Sequence, residues 1–403
     1  ILFCMVAMTA AAQPSYRIYN DAKVKITAAD ALFPWAGGMN KPQFSDIDLD
    51  DDGSKDLVVF DRTGNTISTF LNKGTAGQVL YEYAPVYESV FPEMTHWMLL
   101  VDYNCDGAED IFTSHDTGIK TFLADRSSGD LQFIPDVQKI QYEEVGFSFD
   151  LGVLVIDIPT IIDVNGDGDM DVLTFNLAGG FVEYYENQSQ EEGQPCGGLE
   201  MKLVEPCWGK FYESGITKAV NLDSCNVELT SGDNERNAVH AGSTLLAFDE
   251  NSDGALELVL GDLFFGNLNM LTNGGTSTDA FMIAQDTAFP GYDVPVDLPQ
   301  FPAAFELDVN NDGLLDFVVA PNAANLGENF KNVWYYENTG SMGNATFEYQ
   351  SDSFLVSEMI EVGEGAYPVF FDHNADGLMD IIVGNFGYFE SSGSYTPGLS
   401  LYE

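Results

Sequence analysis

The chain of 403 residues carries 64 Asp and Glu against 15 Lys and Arg, a net charge of −49 with a pI near 4.1. That charge excludes a binder of nucleic acid or of anionic membrane, both of which need a positive footprint. Apolar content of 45% and aromatic content of 13% exclude intrinsic disorder. With 39 Gly and 18 Tyr, the composition fits a turn-rich β protein.

The chain opens on an apolar run, Ile1 to Ala12, that ends in Ala10-Ala11-Ala12. The small residues match a signal-peptidase site and place the mature start at Gln13, so the expectation is export to an extracellular or cell-surface location. The run lacks an initiator Met and a basic segment, which points to a leader whose beginning is missing. It is too short to span a bilayer, and no stretch of about 18 apolar residues occurs elsewhere, so no membrane insertion is expected.

One nine-residue pattern, D-x-[DN]-x-D-G-x-x-[DE], then recurs six times. At positions 1, 3, 5, 7 and 9 the first copy (48–56) has Asp48, Asp50, Asp52, Ser54 and Asp56. The second (102–110) has Asp102, Asn104, Asp106, Ala108 and Asp110, and the third (163–171) Asp163, Asn165, Asp167, Asp169 and Asp171. The fourth (249–257) has Asp249, Asn251, Asp253, Ala255 and Glu257. The fifth (308–316) has Asp308, Asn310, Asp312, Leu314 and Asp316, and the sixth (372–380) Asp372, Asn374, Asp376, Leu378 and Asp380. Oxygens at alternate positions of a tight loop suit Ca²⁺, which takes six to eight of them at about 2.3–2.6 Å. The expected ligands are the side chains at positions 1, 3, 5 and 9, with the backbone carbonyl at position 7. Gly at position 6 permits the bend because it adopts φ > 0 without a Cβ clash. Mg²⁺ fits less well, since it demands stricter octahedral geometry.

An EF-hand is excluded by position 12, which holds Val59, Thr113, Thr174, Leu260, Val319 and Val383 instead of the bidentate Glu. The flanks are also strand-like, as in Met98–Val101 before one loop and Leu57–Phe60 after another. Each loop therefore joins two strands. A third strand is predicted at Ser68–Asn72, Val182–Asn187, Val333–Asn338 and Leu399–Glu403, often running into Asn-x-Gly turn chemistry. Tyr81–Phe91 and Ala345–Phe354 read as fourth strands. Four strands in each repeat of about 60 residues predict an all-β fold, a β-propeller of six to seven four-stranded blades spanning 13–403. The chain ends inside a third strand, so truncation at the C-terminus is expected; Tyr16–Ile26 could instead supply the strand that closes six blades.

The spacing between the third and fourth loops is long, and the segment from about Gln188 to Arg236 reads as an insert. It holds Cys196, Cys207 and Cys225, for which Cys207–Cys225 or Cys196–Cys207 is the expected pairing, since sequence alone does not give connectivity. Cys105 either pairs across the fold or leaves two thiols free. Trp208, Phe211 and Tyr212 make the insert a candidate recognition surface; the competing reading is a packed cap.

The six loops and the Tyr-Tyr-Glu-Asn strands resemble the FG-GAP/VCBS repeat family, whose calcium loops also occur in the propeller of integrin α-subunits. Pro34–Gly38 and His240–Thr244 are similar to stretches of secreted bacterial members, many of which continue into further domains. The resemblance implies a propeller with about six structural Ca²⁺ ions held at the positions named above, within a longer multidomain chain. The function expected is a secreted binding or adhesion module for an extracellular protein or glycan. An enzyme acting on polysaccharide and a passive spacer are the alternatives. No catalytic residue is assigned: His96, His115, His240 and His373 lie in no catalytic motif, and Trp35, Trp97, Trp208 and Trp334 are expected to serve packing more than sugar stacking.

Overall fold

The computed structural model describes residues 22–26, 29–177, 179–194, 197–225, 242–323, 326–390 and 392–403. The leader at 1–12, Gln13, Cys196 and His240 lie outside them. The described residues form an all-β protein in which the only helical pieces are single 3₁₀ turns.

Each repeat folds into an antiparallel meander whose strands pair in chain order. The first sheet contains Pro42–Ile47, Asp56–Asp61, Thr66–Asn72 and Tyr81–Tyr83. The second contains Met98–Val101, Asp110–His115, Gly118–Asp125 and Gln132–Pro135. The third contains Thr160–Ile162, Asp171–Phe175, Val182–Asn187 and Met201–Glu205, and a hairpin of Gln141–Glu144 with Phe147–Asp150 extends its outer edge. The fourth contains Ser243–Phe248, Glu257–Asp262, Leu268–Asn273 and Met282–Phe289. The fifth contains Pro302–Leu307, Asp316–Pro321, Trp334–Asn338 and Phe347–Ser351. In every case the loop pattern joins the first strand to the second. The second strands are apolar and almost wholly buried, because both of their faces are covered.

The first strands of these five sheets line one central cavity of about 200 Å³. The fifth sheet packs back onto the first, where Phe305 meets Phe44 edge-on at 5.7 Å. Thr244 Oγ1 donates to the Pro302 carbonyl at 2.9 Å, and Thr160 Oγ1 to that of Leu245 at 2.9 Å, tying neighbouring first strands. Met98 N–H donates to Gln43 Oε1 at 2.9 Å between the first and second sheets. Arg62, deeply buried, donates through Nη2 to the Val155 carbonyl at 2.6 Å and also bonds Asn322, so one guanidinium joins three repeats.

The sixth repeat stands apart from this arrangement. Tyr367–Phe371, Asp380–Gly384 and Leu399–Tyr402 form a three-stranded sheet. Its first strand is exposed along its whole length, with Phe370 at 60%. The physical reason is that the fifth sheet already covers the first. Of the segment before the first sheet, Lys25–Ile26 pairs with Ala29–Asp30, and 16–21 lie outside the described residues.

The insert needs two corrections. Met201–Glu205 pairs with Val182–Asn187 as the fourth strand of the third sheet, so the additional chain begins only after it. Its aromatic residues are not an adhesive surface: Trp208 and Phe211 are 3% and 0% exposed, packed with Leu173, Phe175, Leu245 and Leu258 between the third and fourth sheets. Tyr212 packs on Phe181 at 5.1 Å. Cys207 and Cys225 form a disulfide, and Cys105 is also disulfide-bonded. The segment is a packed cap. Truncating its anchor by Trp208→Ala is expected to cost about 3–5 kcal/mol, read as a lowered urea midpoint at unchanged slope; a midpoint within error of the parent would refute the core role.

Candidate metal centres

The six loops are geometric copies of one another. In each, the carboxylate at position 1 accepts the position 5 N–H at 3.0–3.2 Å and the Gly N–H of position 6 at 2.8–3.0 Å. The position 5 carboxylate accepts the N–H of position 7 at 2.8–3.1 Å. In the five loops with Asn at position 3, its Oδ1 accepts the position 5 N–H at 2.8–3.0 Å. The glycine at position 6 has φ between 84° and 100°, as its place in the pattern predicts. Position 4 is left-handed as well, at Asp51, Cys105, Gly166, Ser252, Asn311 and Ala375. These turns fold the position 1 and position 5 carboxylates around the N–H groups of positions 5 to 7; among the described residues the first loop is the one whose own carboxylates, at positions 1, 3 and 9, gather within 4.8 Å.

Position 9 behaves differently from the rest. Asp56, Asp110, Asp171, Glu257 and Asp316 are 0% exposed and Asp380 is 3% exposed, whereas positions 1 and 5 stay half-buried or exposed. In the first loop, Asp56 accepts the Leu49 N–H at 2.8 Å through one oxygen and the Asn72 N–H at 2.7 Å through the other. Asp171, Glu257 and Asp316 make the same pair of bonds, to Val164 and Asn187, Glu250 and Asn273, and Val309 and Asn338. Each carboxylate therefore fastens the loop to the third strand of its own sheet. The Asn at the end of that strand returns the contact: Asn72, Asn273 and Asn338 donate to the carbonyls of Lys55, Leu256 and Leu315 at 3.0–3.1 Å. Their Oδ1 atoms cap the following glycine N–H groups, which explains the Asn-x-Gly signature.

Burial pushes the ninth-position acids of the first five loops well above the ordinary carboxylate range, with nearby loop carboxylates adding to the shift. Asp56 and Asp316 rise to about 6, Asp110 and Glu257 to about 7, and Asp171 to about 8. Buried carboxylate oxygens without a hydrogen-bond donor remain on Asp50, Asp110 and Asp169. Single oxygens of Asp48, Asp50 and Asp56 lie within 4.8 Å of one another. Orphaned anionic oxygens, all-oxygen donors and a shared focus fit a hard divalent cation. Such an ion would supply positive charge to carboxylates that otherwise repel across a few ångströms. The alanine and leucine at position 7 have no side-chain oxygen to offer.

Two acids escaped the sequence reading. Asp46 and Glu306 lie deep in the protein but keep accessible surface on the central cavity that they line. Burial raises Asp46 to about 6, helped by the negative charge of Glu109, and burial alone raises Glu306 to about 8. The signal was available: both stand two residues before a loop, where the other ring repeats have Leu100, Ile161 and Ala247. A larger cleft, of about 660 Å³, lies between the Pro34–Gly38 turn and the sixth sheet. Its walls include Trp35, Phe370 and Tyr402, with Asn40, Thr63 and Glu361 as polar groups. Of the histidines, His373 is exposed in its loop, and Trp97 is fully buried.

Residues 308–383, which hold the fifth and sixth loops, match the family model described as an FG-GAP-like repeat. No curated protein matches the chain. Among solved structures, a lectin from Agrocybe aegerita that recognises non-reducing terminal N-acetylglucosamine is similar at 16% identity over 90% of this chain and 80% of its own, with a TM-score of 0.33. The PQQ-bound aldose sugar dehydrogenase of Streptomyces coelicolor is similar at 16% identity over 92% and 97%, with a TM-score of 0.28.

A pH effect follows from the raised acids. A carboxyl whose folded pKa exceeds its unfolded value binds its proton more tightly when folded, so stability falls as pH rises between the two values. For Asp56, Asp110, Asp171, Glu257 and Asp316 that window runs from the ordinary value near 4 to about 6–8. In EDTA the melting temperature is therefore expected to fall from pH 5 to pH 8. Saturating Ca²⁺ should remove most of that slope, and parallel slopes with and without metal would contradict the assignment.

Proposed function

We propose that this chain, which carries FG-GAP-like repeat sequence, is a secreted, calcium-stabilised β-propeller that serves as a binding or adhesion module for an extracellular glycan or protein. The observation that carries the scaffold is the sixfold recurrence of one loop geometry, each copy ending in a buried carboxylate that in the first five is fastened to the third strand of its own sheet. Five meanders with their first strands about one cavity support the propeller reading. In this reading Ca²⁺ is structural. It balances three carboxylates at positions 1, 5 and 9 of each loop, and four in the first, and so holds loop and third strand together.

Binding is favoured over a passive spacer by the cleft at the sixth sheet. Its volume lies within the range of ligand pockets, and it pairs aromatic walls with a few polar groups. Tyr367, Phe370 and Phe386 are 60–64% exposed on that sheet and its adjoining turn, an apolar face of the type that marks interaction sites. Rings at a cleft edge can stack on a sugar or an aromatic side chain, while Asn40, Thr63 and Glu361 can orient hydroxyl or amide groups.

Two measurements test the parts separately. Chelation is expected to lower the melting temperature strongly, since each site contributes about 2.7 kcal/mol at a hundredfold excess of ion over Kd; Asp312→Ala should remove part of that effect. A melting curve indifferent to EDTA would overturn the calcium scaffold. On an array of glycans and matrix proteins, saturable binding is expected with Ca²⁺ and not with EDTA. Phe370→Ser should weaken that binding about tenfold or more, the scale of one interface anchor, without moving the melting temperature in Ca²⁺. Consumption of a bound oligosaccharide would favour an enzyme instead, with Asp46 and Glu306 as the carboxyl groups to replace first.

A further inference from the structure

The third loop differs from the other five at one position. Its seventh residue is Asp169, where the others have Ser54, Ala108, Ala255, Leu314 and Leu378. A residue whose usual contribution is a carbonyl thus carries a third type of oxygen donor. The Asp169 side chain turns toward the segment that leaves the third strand, where its Oδ2 accepts the Gln190 N–H at 3.1 Å. That segment folds as a turn, with N–H groups of Glu192, Gly193 and Gln194 bonded to the carbonyls of Gln188, Gln190 and Ser189. The turn presents Glu191 to the loop.

Single carboxylate oxygens of Asp167, Asp169 and Glu191 lie within 4.8 Å of one another. Among the described residues none of the three makes an ion pair. Asp169 is 2% exposed, and its Oδ1 is buried without any hydrogen-bond partner. An anionic oxygen left bare beside two like charges is costly unless a cation sits against it. Two oxygens on one Ca²⁺ at about 2.4 Å can be no more than about 4.8 Å apart, so the cluster has the dimensions of one coordination shell.

The ligand positions also separate this cluster from a loop's own site. In the first loop the oxygens that converge are those of positions 1, 3 and 9, Asp48, Asp50 and Asp56. Here they are those of positions 5 and 7, joined by a residue from outside the loop. We propose that Asp167, Asp169 and Glu191 form an additional Ca²⁺ site, sharing Asp167 with the third loop, that pins the 188–194 turn to that loop. The site rests on the calcium reading of the loops only through the shared Asp167. Its consequence is added order in the turn between the third and fourth strands: the ion reinforces a link that the Gln190–Asp169 hydrogen bond makes alone in its absence.

Glu191 is exposed, so Glu191→Gln removes one charge with little risk to folding, and the equally exposed neighbour in Glu192→Gln serves as the control. Ca²⁺ bound per chain is counted by native mass spectrometry across a calcium titration, and hydrogen exchange is followed at the amides of 188–194. The parent and Glu192→Gln are expected to bind one more ion than Glu191→Gln at intermediate Ca²⁺. Loss of a direct carboxylate should weaken the site about tenfold or more, since changes one shell further out already cost about 10–100-fold. Ca²⁺ should slow exchange of the turn in the parent and the control but not in Glu191→Gln. Equal ion counts and equal protection in all three chains would overturn the proposal while leaving a calcium-dependent melting curve intact. A melting curve insensitive to chelation would instead remove the calcium reading as a whole.

Discussion

The structure depends on a buried carboxylate at the ninth position of each loop. Placed under the sheet with no exposure, Asp56 holds the start of its loop and the end of its third strand through separate oxygens. The same acid that organises the turn is thereby withdrawn from water, and a withdrawn charge favours its neutral form. Positive charge near it relieves that conflict. In the first loop the side chains of positions 1 and 3 come to the same place as this acid, so there the hydrogen-bond geometry of the fold and the donor set proposed for a cation are one arrangement. Substituting the ninth residue would disturb the strand contact and the ion site together, whereas positions 1 and 5 reach mainly the loop.

Around these units the sheets are held by ordinary packing with a few polar ties. Second strands are buried on both faces, and aromatic pairs such as Phe44 with Phe305 join the first repeat to the fifth. Arg62 is the cation that reaches farthest into this assembly. Burial lowers its pKa to about 10, and its Nη1 and Nη2 groups donate to the Val155 and Ile156 carbonyls and to Asn322 Oδ1. Packing of the fifth sheet on the first leaves the sixth with an exposed apolar strand and a wide cleft at its root. An edge of this kind is a liability for a lone domain and a resource for one that binds.

The third repeat illustrates how one substitution within a pattern changes local chemistry. An acidic side chain at the seventh position leaves the loop's own turn in place, the Asp169 N–H still donating to Asp167 at 3.1 Å. It does alter what the loop can hold on its other side, where Glu191 arrives from the turn between the third and fourth strands. Sequence comparison within the chain marks Asp169 as the exception, but Glu191 gives no such sign.

Composition, loop pattern and strand signatures settled the all-β class, the six turns and the strands that flank them, because each is a local property: Gly at position 6, oxygens at alternate positions and apolar runs on either side act within about a dozen residues. The prediction of a third strand ending in Asn held for the same reason, since that Asn caps its own turn. Partnership was decided elsewhere. That Met201–Glu205 completes the third sheet, that Trp208 and Phe211 fill a core rather than face a ligand, and that Asp46 and Glu306 meet at one cavity all depend on which repeat lies beside which. The separate position of the sixth sheet has the same origin. Its residues read like those of the other repeats, but the face they would cover on the first sheet is already taken by Pro302–Leu307, and only packing in three dimensions determines which of two similar sheets occupies that place.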